Sequence, residues 1–186
     1  MATNTQNKTL RIKEGRTELT ADHEGRDLTF IHPYFGPNTY ANVGSEIEKT
    51  GLRRPTTPEI TSLVHTAFNS DDRYSEEIKQ IMKDRYLWGF TGSLYVPNKG
   101  VYIQDDPQVK DGMPFMEESE LVRKLEANDS TIRFVPFGYE VGEMFPVQLG
   151  KNNYLKGLVG EEGAEKLAEI ADKHRNKPYL SSFKSV

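Results

Sequence analysis

RYLWGFTGSLYVPNKGVYIQDD, residues 85–106, is the stretch of this chain that decides the fold. Ser93-Leu94-Tyr95-Val96 and Val101-Tyr102-Ile103-Gln104 are two short β-prone runs, joined by Pro97-Asn98-Lys99-Gly100. The join has turn chemistry: Pro97 fixes its own φ, Asn98 tolerates left-handed backbone, and Gly100 accepts the positive φ of a bulge. The spacing predicts a β-hairpin near 93–104, with the one tryptophan, Trp88, just upstream. Alternation through Tyr86-Leu87-Trp88-Gly89-Phe90 puts the three aromatics on one face. Tyr95 is out of phase with Leu94 and Val96, and Tyr102 with Val101 and Ile103. The expectation is therefore one aliphatic sheet face and one tyrosine-rich face.

Upstream, Thr9–Lys13 alternates weakly and reads as a first strand. Gly15–Asp27 is polar and reads as a loop or an exposed hairpin, and Leu28–Ile31 is β-prone up to His32-Pro33. Three helical patterns follow. Tyr40, Val43 and Ile47 lie three and four apart, with Gly51 as a stop. Ile60, Leu63, Val64, Ala67 and Phe68 form a stripe behind Thr56-Thr57-Pro58-Glu59. There Thr57 caps with Pro58 first in the helix, or Thr56 and Glu59 make a capping box. The third helix begins near Ser75, with Ile78, Ile81 and Met82 facing inward.

Downstream of the hairpin, Asp105–Pro114 reads as an acidic loop. Ser119 caps a short helix carrying Leu121, Val122 and Leu125. Thr131–Val135 reads as a strand and Met144–Leu149 as an edge strand, since Pro146 cannot donate within a sheet. Glu161–His174 is an amphipathic helix. The predicted fold class is α+β: a mostly antiparallel sheet packed by about four to five helices. Residues 1–186 are expected to form a single globular domain, with residues 1–7 and the tail 181–186 loose.

Composition narrows the function classes. The chain has 186 residues, 35% hydrophobic and 28% charged, with nine Phe and nine Tyr, enough to close one core. A net charge of −4 argues against a general nucleic-acid binder, whose domain is normally basic. No cysteine is present, which removes disulfides, thiolate nucleophiles and cysteine-ligated zinc. The polar N-terminus shows no secretory h-region, and no apolar run approaches the ~20 residues of a membrane span. A cytoplasmic location, no membrane and no cofactor are the expectations.

No sequence motif carries chemistry. There is no GxGxxG, GxxxxGK[ST], GxSxG or HExxH. Arg53 and Arg54, beside a helix start, are the candidate anion holders, through guanidinium forks and free backbone donors. Pro58 removes one such donor, and Glu59 places negative charge where the anion would sit. His32, at a strand end, is the candidate acid or base. His23, in a charged loop, lacks neighbouring ligands for a metal, so no metal site is expected. His65 reads as structural and His174 as a cation at a helix C-terminus. Asp105-Asp106, directly after a strand, is the carboxylate pair of most interest. Trp88, Tyr95 and Tyr102 are the candidate contact residues of the aromatic face. The leading expectation is a non-enzymatic binding or assembly module, partnered by itself or another protein. The alternative is an enzyme acting on a small anionic substrate held by Arg53 and Arg54.

Overall fold

The computed structural model describes residues 11–13, 16–85, 87–138 and 144–174. Residues 1–7, Thr9, Leu10, Gly15, Tyr86, Tyr139, Gly142 and the tail 181–186 of the sequence reading lie outside the described residues.

Strands β1 (Arg11–Lys13), β2 (Arg16–His23) and β3 (Arg26–His32) form one antiparallel sheet in that order. Between β2 and β3, Glu24 and Gly25 both take positive φ, 52° and 73°, which is the two-residue turn that matches strand twist. The polar stretch before Leu28 is thus a hairpin and not a loop. Three helices follow, each with a side-chain cap or capping box. In α1 (Tyr40–Lys49), Thr39 accepts from the Asn42 N–H at 3.4 Å. In α2 (Thr57–Phe68), Thr56 and Glu59 close a capping box with Pro58 in the first turn. In α3 (Arg73–Asp84), Asp72 accepts from the N–H groups of Tyr74 and Ser75. Ser75 sits inside that helix, so its start lies two residues before the expected one. Ile78 is buried, but Met82 is 37% exposed because it falls off the inward stripe.

The predicted hairpin is present. β4 (Thr91–Val96) and β5 (Gly100–Asp105) pair antiparallel, with Asn98 at φ 61° and Gly100 at φ 150°. A Cβ on Gly100 would sit 2.1 Å from the Val135 carbonyl oxygen, so geometry and space both demand glycine there. β8 (Ile132–Pro136) pairs with the other edge of β5, giving the order β4-β5-β8. The supposed loop after Asp106 contains a small hairpin, β6 (Gln108–Lys110) with β7 (Met113–Phe115). α4 (Glu118–Glu126) begins one residue before Ser119, whose hydroxyl bonds the capping residue Glu117.

Residues 146–149 correct the sequence reading: Met144–Leu149 holds no strand but a single helical turn, α5 (Pro146–Leu149). Pro146 is preset for a first helical position, and the Gln148 side chain returns to the Phe145 N–H at 2.8 Å. α6 (Asn153–Lys173) is longer than the sequence indicates and is interrupted at Gly160, whose φ 79°, ψ 167° is not helical. Among the described residues there are thus six helices, one of them a single turn, and an α+β fold with antiparallel sheets.

Helix α6 holds the two larger sheets together. Its first half lays Tyr154 and Leu158 on Val101, Ile103 and Val135 of the β4-β5-β8 sheet. A Cβ on Gly157 would lie 2.5 Å from the Val135 side chain, so the helix rests almost directly on the strands. Its second half sends Ile170 and Leu167 into a core with Leu63, Val64, Ala67 and Ile78, against which Leu19 and Phe30 of the first hairpin also pack. The opposite face of β4-β5-β8 is covered by α4, through Leu121 and Val122.

That two-sided cover corrects the expected tyrosine face. The register sets Tyr102 opposite Leu94 and Phe134, and Tyr95 opposite Val101. Directly paired residues share a face, so Tyr95 and Tyr102 point to opposite sides. Tyr102 is 6% exposed against Phe134, whereas Tyr95 is 52% exposed and meets Tyr154, hydroxyl to hydroxyl at 2.6 Å. Phase within each strand was read correctly, but pairing between strands inverted its meaning. Trp88 and Phe90 also part company: residues 87–90 are irregular, Trp88 is 40% exposed and Phe90 fully buried.

Candidate functional site

Of the residues singled out in the sequence, Arg54 and Trp88 come together, through two intermediaries. Tyr40, opening α1, packs edge-on against Trp88 at 5.7 Å and tilted against Phe90 at 4.7 Å. The Arg54 guanidinium lies over Phe90, 5.2 Å from the ring centre. Its Nη2 meets Asp106 at 2.6 Å and the Pro107 carbonyl at 3.3 Å, and its Nε faces Glu48 at a looser 3.4 Å. Gly44 makes the approach possible: a Cβ there would stand 2.9 Å from Phe90 and 3.1 Å from the Arg54 chain.

Beside this cluster lies a cleft of about 380 Å³, lined by Ala41, Ser45 and Glu48 of α1, by Arg54, and by Gln108 and Val109 of β6. The Tyr40 hydroxyl is buried without a hydrogen-bond partner among the described residues. Burial pushes its phenol above the ordinary value, the Arg54 charge draws it back, and Asp106 adds to the rise.

Arg53 is engaged elsewhere. Its fork takes both carboxylate oxygens of Glu59, with Nη1 to Oε2 at 2.7 Å. Burial raises the Glu59 carboxyl, but hydrogen bonds from Arg53 and the Thr56 N–H, and the Arg53 charge, outweigh it and hold the group below its usual range. The same bond lifts the Arg53 guanidinium. The two neighbouring arginines therefore serve different carboxylates. The aspartates divide likewise: Asp106 pairs with Arg54, and Asp105 takes both nitrogens of the Arg133 fork at 2.5 and 2.9 Å. His32 stands apart from the cluster, its Nε2 3.0 Å from Glu77 and its ring edge-on to Tyr74. His65 bonds Glu169 at 2.7 Å, tying α2 to α6, and His174 caps α6 against Phe68.

Long-range contacts assemble a second polar cluster that sequence reasoning missed. Lys166 Nζ donates to Ser62 Oγ at 2.9 Å and to the Asp22 carbonyl at 2.8 Å, and it pairs with Glu162. Ser62 Oγ also lies 3.0 Å from His23 Nδ1. A serine beside a histidine nitrogen has one of the contacts of an activated nucleophile. Ser62 is only 1% exposed, however, which leaves no face for a substrate atom. The cluster braces the β2–β3 turn against α2 and α6. Its one sequence signal was Lys166 itself, a charge on the apolar side of α6 beside Gly163, Ala164 and Ile170.

Among the described residues no group of three or more His, Asp and Glu is placed to hold a metal ion, and no helix is long and apolar enough to cross a membrane. Compared with protein-family models, curated proteins and solved structures, the chain matches none.

Proposed function

We propose that this chain is a non-enzymatic binding module whose contact element is the β6–β7 hairpin and whose first partner is a second copy of itself. One observation carries the reading. The outward face of the hairpin shows Met113 at 67% exposure and Phe115 at 42%, beside Lys110, whose Nζ lies 5.0 Å over the Phe115 ring. Exposed large apolar side chains gathered on one small element mark an interaction surface more often than a free one. The two strands pair only with each other among the described strands, so each offers an outer edge, and a lone two-stranded ribbon is marginal in water. Lys110 and Asp111 at its tip carry opposite charges, which suits pairing with an identical ribbon about a two-fold axis.

The alternative, an enzyme holding a small anion on Arg53 and Arg54, has less behind it. Arg53 is occupied by Glu59 and His32 is bonded to Glu77, so neither joins Arg54 in one site.

Light scattering tests the proposal. The native chain is expected to dimerise, and the double variant Met113→Lys, Phe115→Lys to be monomeric with an unchanged circular dichroism spectrum, since both side chains are exposed. A native monomer across the accessible concentration range, or a dimer indifferent to the substitutions, would overturn it.

A further inference from the structure

We propose that the cleft between α1 and β6 binds a small zwitterion of the α-amino-acid kind, a role separate from association through the hairpin. The argument starts from charge. Arg54 contributes one positive group to the cleft lining and Glu48 one negative group. A simple anion meets the Glu48 carboxylate as well as the guanidinium, and a simple cation meets the guanidinium as well as the carboxylate. A molecule bearing both signs satisfies both walls.

Arg54 has donors to spare for the carboxylate. Its partners engage Nε and Nη2, and among the described residues none accepts from Nη1. Its side chain is 12% exposed, so an acceptor bonding it there is shielded from water and the bond gains strength. Glu48 suits the ammonium. Its side chain is 59% exposed and its hold on Arg54, at 3.4 Å, is loose enough to share. Between them Ser45 and Gln108 offer neutral hydrogen bonds, and Ala41 and Val109 form an apolar wall for an aliphatic side chain. The volume of about 380 Å³ stands at the small end of the ~300–1,000 Å³ typical of ligand sites, which suits a single amino acid better than a nucleotide.

The test is a titration of the ¹⁵N-labelled 186-residue chain with three probes. L-leucine carries both charges, 4-methylpentanoate only the carboxylate, and 3-methylbutylamine only the ammonium. Leucine is expected to give saturable shifts confined to α1 and residues 107–110. Each half-ligand should bind about tenfold more weakly or worse, the loss of one charge-assisted hydrogen bond. Glu48→Gln should bring leucine down to the level of 4-methylpentanoate, and Ser45→Trp, on an exposed helix position, should fill the cleft and abolish the shifts. Arg54 is left unchanged because the fold uses it. No saturable shift with leucine, half-ligands that bind as well as leucine, or a folded Ser45→Trp variant that still binds would each overturn the proposal.

Discussion

Single side chains already show which contacts stabilise the molecule and which are tolerated. The Tyr40 hydroxyl is buried without a partner, so removing it relieves a desolvation cost instead of breaking a bond. Tyr40→Phe is expected to be neutral or stabilising by up to about 1 kcal/mol, read from the denaturant midpoint; a clear loss would mean the hydroxyl has a bonded partner. Glu59 behaves oppositely. Its folded carboxyl titrates below the ordinary value of 4.5, so its contribution to stability is complete above that pH and is lost as pH falls through the depressed folded value. Asp72, lowered by the Ser75 hydroxyl and the Ser75 and Tyr74 N–H groups despite burial, adds in the same direction. Melting temperature should therefore decline on acidification below about pH 4.5, and Glu59→Gln should flatten that decline. An equal slope in variant and native chain would show that the Arg53–Glu59 pair is not its source.

At the scale of elements, what was legible in the sequence was what is local. Capping at Thr56–Glu59, the turn at Asn98–Gly100 and the stripe of α2 all rest on neighbours within four residues, and each is found as read. What was hidden depends on pairing across the chain. The opposed faces of Tyr95 and Tyr102 follow from strand register, and the Ser62–Lys166 bond spans 104 residues. The turn at Pro146 was misread because a proline before apolar residues serves an edge strand or a helix start equally well, and Gln148 decided it. Two outcomes test the elements. Gly160 occupies backbone that side chains avoid, so Gly160→Ala should cost about 1–3 kcal/mol although nothing crowds the site. Lys166→Met keeps the apolar stem but takes a buried donor from Ser62 Oγ and the Asp22 carbonyl, and should cost about 1–3 kcal/mol. Hydrogen exchange should then quicken first in the β2–β3 hairpin; uniform acceleration would place the brace elsewhere.

For the molecule as a whole, α6 makes the two larger sheets interdependent, since one of its halves seals each. Trp88 lies near α1 and far in sequence from that helix, so it reports the rest of the fold. Its fluorescence and the helical circular dichroism should fall together on heating, as one cooperative transition requires. Two separated midpoints would show that the sheets melt independently.

The β6–β7 ribbon has a different relation to the whole. Its roots are set close together: a Cβ on Gly92 would touch Met116 at 2.6 Å and Pro107 at 3.1 Å, so both ends of the ribbon meet one point on β4. Everything between them, residues 108–115, lies outside the core clusters. Such a graft point can be shortened to a tight link or refilled with a foreign loop while the scaffold beneath keeps its shape. In that sense evolution, or an engineer, can exchange this ribbon without rebuilding the protein.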